Sequence, residues 1–92
     1  MTEKETKKRP DEYTDDVISV NRTLVLHNDD VHTFDYVIDA LIEICDHEFI
    51  QASQCATITH FKGKCDLKEG NFSTLKTMKD ALVLRELTVT ID

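Results

Sequence analysis

The apolar residues between positions 34 and 45 recur three and four residues apart, and this spacing restricts the fold more than any other feature of the chain. They are Phe34, Val37, Ile38, Leu41, Ile42 and Cys45. The pattern predicts an amphipathic helix with one buried face, and Thr33 is its expected N-cap. The preceding residues 23–26 are apolar and partly β-branched, which predicts a strand over about 21–27. The chain therefore requires a helix layered on a sheet.

The rest of the chain predicts four further elements. They are a helix over about 48–59, a strand over 61–68, a helix from 73 to about 83 and a strand over 87–92. Asp46 and Ser73 are the expected N-caps of the two helices, Gly63 follows the first of them, and residues 69–71 are expected to form a turn. The order β-α-α-β-α-β predicts an α+β fold with three helices packed on a small three-stranded, mainly antiparallel sheet.

The N-terminal residues differ in composition from the rest of the chain. Residues 1–16 include ten charged side chains, and their large apolar groups are Met1 and Tyr13. Such a segment cannot bury enough apolar surface to offset the entropy of ordering. We therefore expect a flexible N-terminal extension over 1–16 and one folded domain over 17–92, since 92 residues leave no room for a second core.

The charge and the cysteines limit the partners and the compartment. A net charge of −7, and the absence of lysine and arginine from residues 23–61, argue against nucleic acid and anionic membranes as partners. Cys45, Cys55 and Cys65 form no CxxC pair, and no apolar signal region or membrane span is apparent, so we expect reduced thiols in the cytoplasm. We also expect a monomer. Cys45 and Cys55 lie on apolar helix faces and are expected in the core.

Residues 27–30 (His-Asn-Asp-Asp) form a polar site where the first strand meets the helix. Asp29 and Asp30 could bind a cation or serve acid/base chemistry, and from the residues alone a metal, an amine and a plain turn all stay open. No metal-loop spacing, nucleophile motif or glycine-rich phosphate loop is present, so we expect no cofactor and no enzymatic activity. His60, taken alone, is expected to be a half-buried structural histidine.

Two functions other than the binding of an amine remain open. The chain could be a protein-interaction module without an amine pocket. Less favoured is a metal-dependent hydrolase that uses Asp29, Asp30 and His60.

Three segments together resemble the ClpS family. They are residues 24–30 (LVLHNDD), 34–41 (FDYVIDAL) and 59–64 (THFKGK). Members of this family are adaptors that bind N-degrons, which are destabilising N-terminal residues, and deliver the substrate to an AAA+ Clp unfoldase and its protease. The resemblance implies that Asn28, Asp29 and His60 bind the free α-amine of the substrate. It implies that the first side chain enters a hydrophobic pocket formed by His32, Phe34, Val37, Ala56, Thr59 and Leu87.

The chain departs from the usual family pattern at several positions. Thr33 replaces a proline and Phe34 a methionine, and Ala56 often corresponds to a bulky methionine at the pocket wall. The smaller Ala56 implies a larger pocket that accepts aromatic residues and admits Ile or Val. Leu75 and Asp80 do not keep the expected charged Glu and Lys in the region that docks the N-terminal domain of the Clp unfoldase. The extension over 1–16 has the character of the segment that the unfoldase engages during handover.

Overall fold

The computed structural model describes residues 21–92, so the expected extension over 1–16 and residues 17–20 lie outside the described part. The six elements, in chain order, are β1 (Arg22–His27), α1 (Phe34–Cys45), α2 (Phe49–Lys62), β2 (Lys64–Gly70), α3 (Phe72–Leu84) and β3 (Thr88–Ile91). This is the predicted β-α-α-β-α-β order. The predicted α+β fold with three helices and a three-stranded antiparallel sheet is confirmed.

Strand β1 occupies the centre of the sheet, whose strand order is β2-β1-β3, and it pairs antiparallel with both neighbours. At its carboxyl end His27 lies opposite Lys64 of β2 and Thr88 of β3. The His27 Nε2 atom also contacts the Thr90 hydroxyl at 2.8 Å. The segment that leaves β1 therefore emerges beside the start of both outer strands.

The core draws apolar side chains from every element. Fully buried members include Leu24 of β1, Leu41 of α1, Ala52 of α2 and Leu82 of α3. The predicted burial of Cys45 and Cys55 is confirmed. Burying apolar surface is the main favourable term in folding a domain of this size.

All three cysteines are free and buried. Burial raises the pKa of the Cys45 thiol to about 11. Burial, followed by the neighbouring Cys55 thiol, raises that of Cys65 to about 12. These two thiols consequently stay protonated near neutral pH, and a protonated thiol is a poor nucleophile.

The N-cap of α1 is the predicted one, because the Thr33 hydroxyl accepts a hydrogen bond from the Tyr36 amide at 3.1 Å. The prediction for Asp46 is wrong. Asp46 ends α1 in the left-handed conformation with φ of 61°, and Glu48 stands at the N-cap of α2 without a side-chain cap. A short polar side chain tolerates the left-handed region that ends a helix, so the same residue type fits either role.

Two further boundaries differ from the sequence prediction. The N-cap of α3 is Asn71, not Ser73, and its Oδ1 accepts from the Thr74 amide at 2.9 Å. Because β2 pairs with β1 as far as Gly70, residues 69–71 form no separate turn. Helix α2 extends to Lys62, so Phe61 belongs to the last turn of this helix and not to a strand. The Phe61 side chain is exposed.

In the described part of the chain, no helix has the length and apolarity to span a bilayer.

We predict that Leu82→Ala lowers the free energy of unfolding by about 2–5 kcal/mol, because this fully buried side chain leaves a cavity in the core. Chemical denaturation monitored by circular dichroism measures the change. Leu84→Ala on the same helix is the matched control, since Leu84 is 85% exposed and its loss should change stability by less than about 0.5 kcal/mol. Equal destabilisation by both changes would contradict this assignment of the core.

Candidate functional site

A cavity of about 250 Å³ opens where the end of β1, the loop to α1 and the last turns of α2 meet. It is smaller than the roughly 300–1,000 Å³ of sites for drug-sized ligands, and so it suits a ligand portion such as one amino-acid side chain. The structure brings together here all nine residues named from the resemblance. Its lining residues are Leu26, His27, Asn28, Asp29, Asp30, His32, Thr33, Phe34, Val37, Ala56, Thr59, His60 and Leu87.

Four lining residues were not among those nine. They are Leu26, His27, Asp30 and Thr33. A signal for them was present in the sequence. His27 and Asp30 belong to the polar segment 27–30, Leu26 directly precedes it, and Thr33 lies between His32 and Phe34. Adjacency alone does not say which side chains face a cavity, since neighbouring residues in a strand point to opposite faces.

Hydrogen bonds within the loop fix the orientation of the Asn28 side chain. Its Oδ1 accepts from the Asp30 amide at 3.2 Å, and its Nδ2 donates to the Asp30 carboxylate at 3.1 Å. Asp30 adopts the left-handed conformation with φ of 59°. The carbonyl oxygen of Asn28 has two lone pairs and uses one in this turn, so the other can accept a further hydrogen bond. Asp30 itself stabilises the turn through these two hydrogen bonds.

One oxygen of the Asp29 carboxylate accepts a hydrogen bond from the backbone, and the other does not. Its Oδ1 accepts from the Val31 amide at 3.0 Å. Its Oδ2 lies 3.4 Å from Nδ1 of His32, although these two atoms do not meet hydrogen-bond geometry. The Asp29 side chain is 21% exposed. A carboxylate that is oriented by the backbone and still reachable can bind a cationic group.

A backbone hydrogen bond joins this loop to the end of α2. The Asn28 amide donates to the Gly63 carbonyl at 2.9 Å, and the Gly63 amide donates to the Thr59 carbonyl at 2.9 Å. Gly63 ends α2 with φ of 96°, a conformation that favours glycine. Thr59 and His60, in the last turn of α2, are thereby held beside the loop that carries Asn28.

The expectation that His60 is half-buried is wrong, because the residue is exposed at the cavity. Its ring packs edge-on against Phe34 at 5.4 Å between centroids and against Phe61 at 4.8 Å. Two aromatic neighbours restrict the imidazole at the mouth of the cavity. Phe34 is itself 43% exposed and forms part of the rim.

The less polar part of the cavity wall comes from three directions. Ala56 and Thr59 are buried on α2, and Val37 is half-buried on α1. Leu87, buried next to β3, completes the wall.

Leu87 is held in place by contacts between α1 and the segment that follows α3. The Tyr36 hydroxyl donates to the Arg85 carbonyl at 2.9 Å. The Arg85 guanidinium also pairs with the Glu43 carboxylate, and this hydrogen bond raises the pKa of Arg85. The Leu87 amide donates to the Leu82 carbonyl at 3.2 Å.

The charge at the cavity is negative. Asp29 and Asp30 line it, and no lysine or arginine of the described residues does. The site therefore offers hydrogen-bond acceptors at its mouth and apolar contacts inside, which suits a ligand with a cationic group next to a hydrophobic one. Within residues 21–92, no three His, Cys, Asp or Glu side chains are grouped as a metal ion would require.

Comparisons with known proteins identify the family of the chain. The family model described as "ATP-dependent Clp protease adaptor protein ClpS" matches residues 20–88, which confirms the resemblance. Adaptors of the ATP-dependent Clp protease are the class of protein that this family model describes. The chain belongs to the ClpS family.

The fold is shared with a solved structure of the same family. Agrobacterium tumefaciens ClpS2, determined bound to L-phenylalaninamide, superimposes with a TM-score of 0.72 at 19% sequence identity. The match covers 78% of this chain and 94% of that one. The search of curated proteins returned no match.

We predict that Gly63→Ala destabilises the protein by about 1–2 kcal/mol, because alanine is strained at a φ of 96°. A Cβ there would meet no atom within 4 Å, so the cost comes from the backbone and not from a clash. Gly70→Ala is the matched control. Its Cβ would make an ordinary contact at 3.9 Å with Leu75, and we expect little change or a small gain in the free energy of unfolding. If Gly63→Ala left the free energy of unfolding unchanged, this would contradict the role of Gly63 in ending the helix.

Proposed function

We propose that this protein is an N-degron adaptor that binds the free α-amine and the bulky hydrophobic first residue of its substrates and delivers them to a Clp AAA+ unfoldase and protease. The observation that carries the proposal is the placement of Asn28, Asp29 and His60 at one partly apolar cavity, which no lysine or arginine of the described residues lines. The chain acts as a cytoplasmic monomer and breaks no bond itself.

The free amine is what distinguishes the first residue of a protein from every internal one. An α-ammonium has a pKa near 7.7–8.0 and is largely charged at neutral pH. Asp29 supplies a charge-assisted hydrogen bond, which is typically about twice as strong as a neutral one. Asn28 accepts a second hydrogen bond through its carbonyl oxygen, and His60 accepts a third.

The first side chain enters the cavity behind these three groups. Its pocket is formed by His32, Phe34, Val37, Ala56, Thr59 and Leu87. Burying a leucine or phenylalanine side chain contributes about 1.5–3 kcal/mol. The ligand of the solved relative supports this assignment by its chemistry, because L-phenylalaninamide combines a free α-amine, an aromatic side chain and an amide in place of the next peptide bond.

Delivery requires a surface for the N-terminal domain of the unfoldase and a segment for the unfoldase to engage. The residues that depart from the family in the expected docking region are Leu75, which is fully buried, and Asp80, which is exposed and pairs with Lys76 at 2.9 Å. Leu75 therefore cannot contact a partner directly. The extension over 1–16 is proposed as the segment engaged during handover.

Binding of two matched peptides tests the adaptor function. One begins with a free Phe and the other has the same sequence with an acetylated N-terminus, both labelled at the carboxyl end for fluorescence anisotropy. We expect the free peptide to bind and the acetylated one to bind far more weakly, because acetylation removes the charge and two donors. Equal affinities would favour an interaction module without an amine pocket, and metal-dependent cleavage would favour a hydrolase.

We predict that Asp29→Asn weakens binding of the free Phe peptide by roughly 10- to 150-fold, since it removes a charge-assisted hydrogen bond worth about 1.5–3 kcal/mol. Asparagine retains an oxygen that can accept from the Val31 amide, so the turn should survive. Asp39→Asn on the exposed face of α1 removes the same charge outside the cavity and is the control. Similar losses of affinity in both variants would show that the effect comes from the overall negative charge of the protein and not from the Asp29 carboxylate itself.

We predict that the wild-type pocket binds peptides beginning with Phe and also admits Ile and Val, because Ala56 leaves room at the wall. Ala56→Met should weaken binding of Ile and Val peptides relative to Leu, measured as a ratio of dissociation constants. Thr57→Met, exposed on the same helix and outside the cavity, controls for the substitution. An unchanged ranking in Ala56→Met would refute the role of Ala56.

A further inference from the structure

Two polar atoms of the pocket wall have no hydrogen-bond partner among residues 21–92. They are Nδ1 of His32 and Oγ1 of Thr59, and both are buried. The His32 side chain is 10% exposed and Thr59 is 5% exposed. Both residues line the cavity that is proposed to receive the first side chain. Buried polar atoms are satisfied in the large majority of cases, so an unsatisfied pair in one cavity requires an explanation.

The contrast with another helical threonine shows what Thr59 lacks. Thr77 of α3 donates its hydroxyl to the Ser73 carbonyl four residues earlier, at 3.3 Å, which is the usual way in which a helix satisfies threonine. The Thr59 hydroxyl makes no such bond among the described residues. A threonine hydroxyl in a helix divides between two rotamers, and no helix hydrogen bond holds the Thr59 hydroxyl in one of them.

The imidazole of His32 is held by contacts that leave its nitrogen unpaired. Its ring packs against Tyr36 with 4.5 Å between centroids. Nδ1 faces Asp29 Oδ2 at 3.4 Å without forming a hydrogen bond. A buried group without a hydrogen bond loses its hydration without compensation, and a ligand atom that pairs with it recovers part of that cost.

We infer that this pocket selects a first residue whose aromatic side chain bears a hydroxyl, namely tyrosine, and that Thr59 and His32 are the residues that determine this specificity. The inference rests on the proposed function and adds a preference within bulky first residues. A phenol hydroxyl both donates and accepts, so it can pair with a threonine hydroxyl and with an imidazole nitrogen in either tautomer. Phe, Leu, Ile and Val offer no such atom, and Trp offers only a donor.

The test compares two peptides that differ by one oxygen atom, with Tyr or Phe as the first residue and the rest identical. We expect wild-type protein to bind the Tyr peptide about 3- to 10-fold more tightly, the effect of one neutral hydrogen bond. Thr59→Val keeps the shape and removes the hydroxyl, and His32→Phe keeps a ring and removes the nitrogen. Loss of the Tyr preference in either variant, with the Phe peptide still bound, identifies the atom that pairs.

Thr57→Val is the matched control, because Thr57 is exposed on the same helix outside the cavity, and it should retain the wild-type ratio. Circular dichroism establishes that each variant is folded. Wild-type protein that binds Phe at least as tightly as Tyr overturns the inference while leaving the adaptor function intact. A preference that persists in both pocket variants also overturns it. Failure to bind either peptide would overturn the adaptor function itself.

Discussion

The hydrogen bond from the Asn28 amide to the Gly63 carbonyl is the contact on which the site depends. It joins the end of the central strand to the end of α2, two segments that are far apart in the chain. Gly63 can provide this carbonyl because its left-handed backbone ends the helix and turns the chain into β2. The acceptors on the loop and the side chains of the last turn of α2 consequently face one cavity.

The mouth and the interior of the cavity favour different chemical groups of a ligand. Its mouth carries oriented oxygen atoms and no lysine or arginine of the described residues, so it favours a positive charge. Its interior is bounded by small or apolar side chains such as Ala56, Val37 and Leu87, which favour hydrophobic contact. A ligand gains from both halves only if its charge and its hydrophobic group are adjacent, which describes the first residue of a peptide chain.

Local sequence patterns predicted the elements well where the periodicity was long. The apolar spacing of α1 and the Thr33 cap agree with the structure because both depend on neighbouring residues. The predicted boundaries of α2 and α3 were less accurate. Asp46 and Asn71 are both short polar residues that can start or end a helix, and tertiary pairing of β2 with β1 decides where α3 begins. The role of such a residue therefore depends on its surroundings more than on its type.

The sequence by itself determined the α+β class and marked the polar segment at the end of β1, because periodicity and composition are local properties. The family resemblance in the sequence also named nine of the thirteen residues that line the cavity. Only the tertiary structure decided that Asn28 and His60, thirty-two residues apart, share a site and that Leu75 lies in the core. It also decided that the buried Thr59 hydroxyl lacks a partner among the described residues. These properties depend on how distant segments pack together, which local periodicity and composition do not specify.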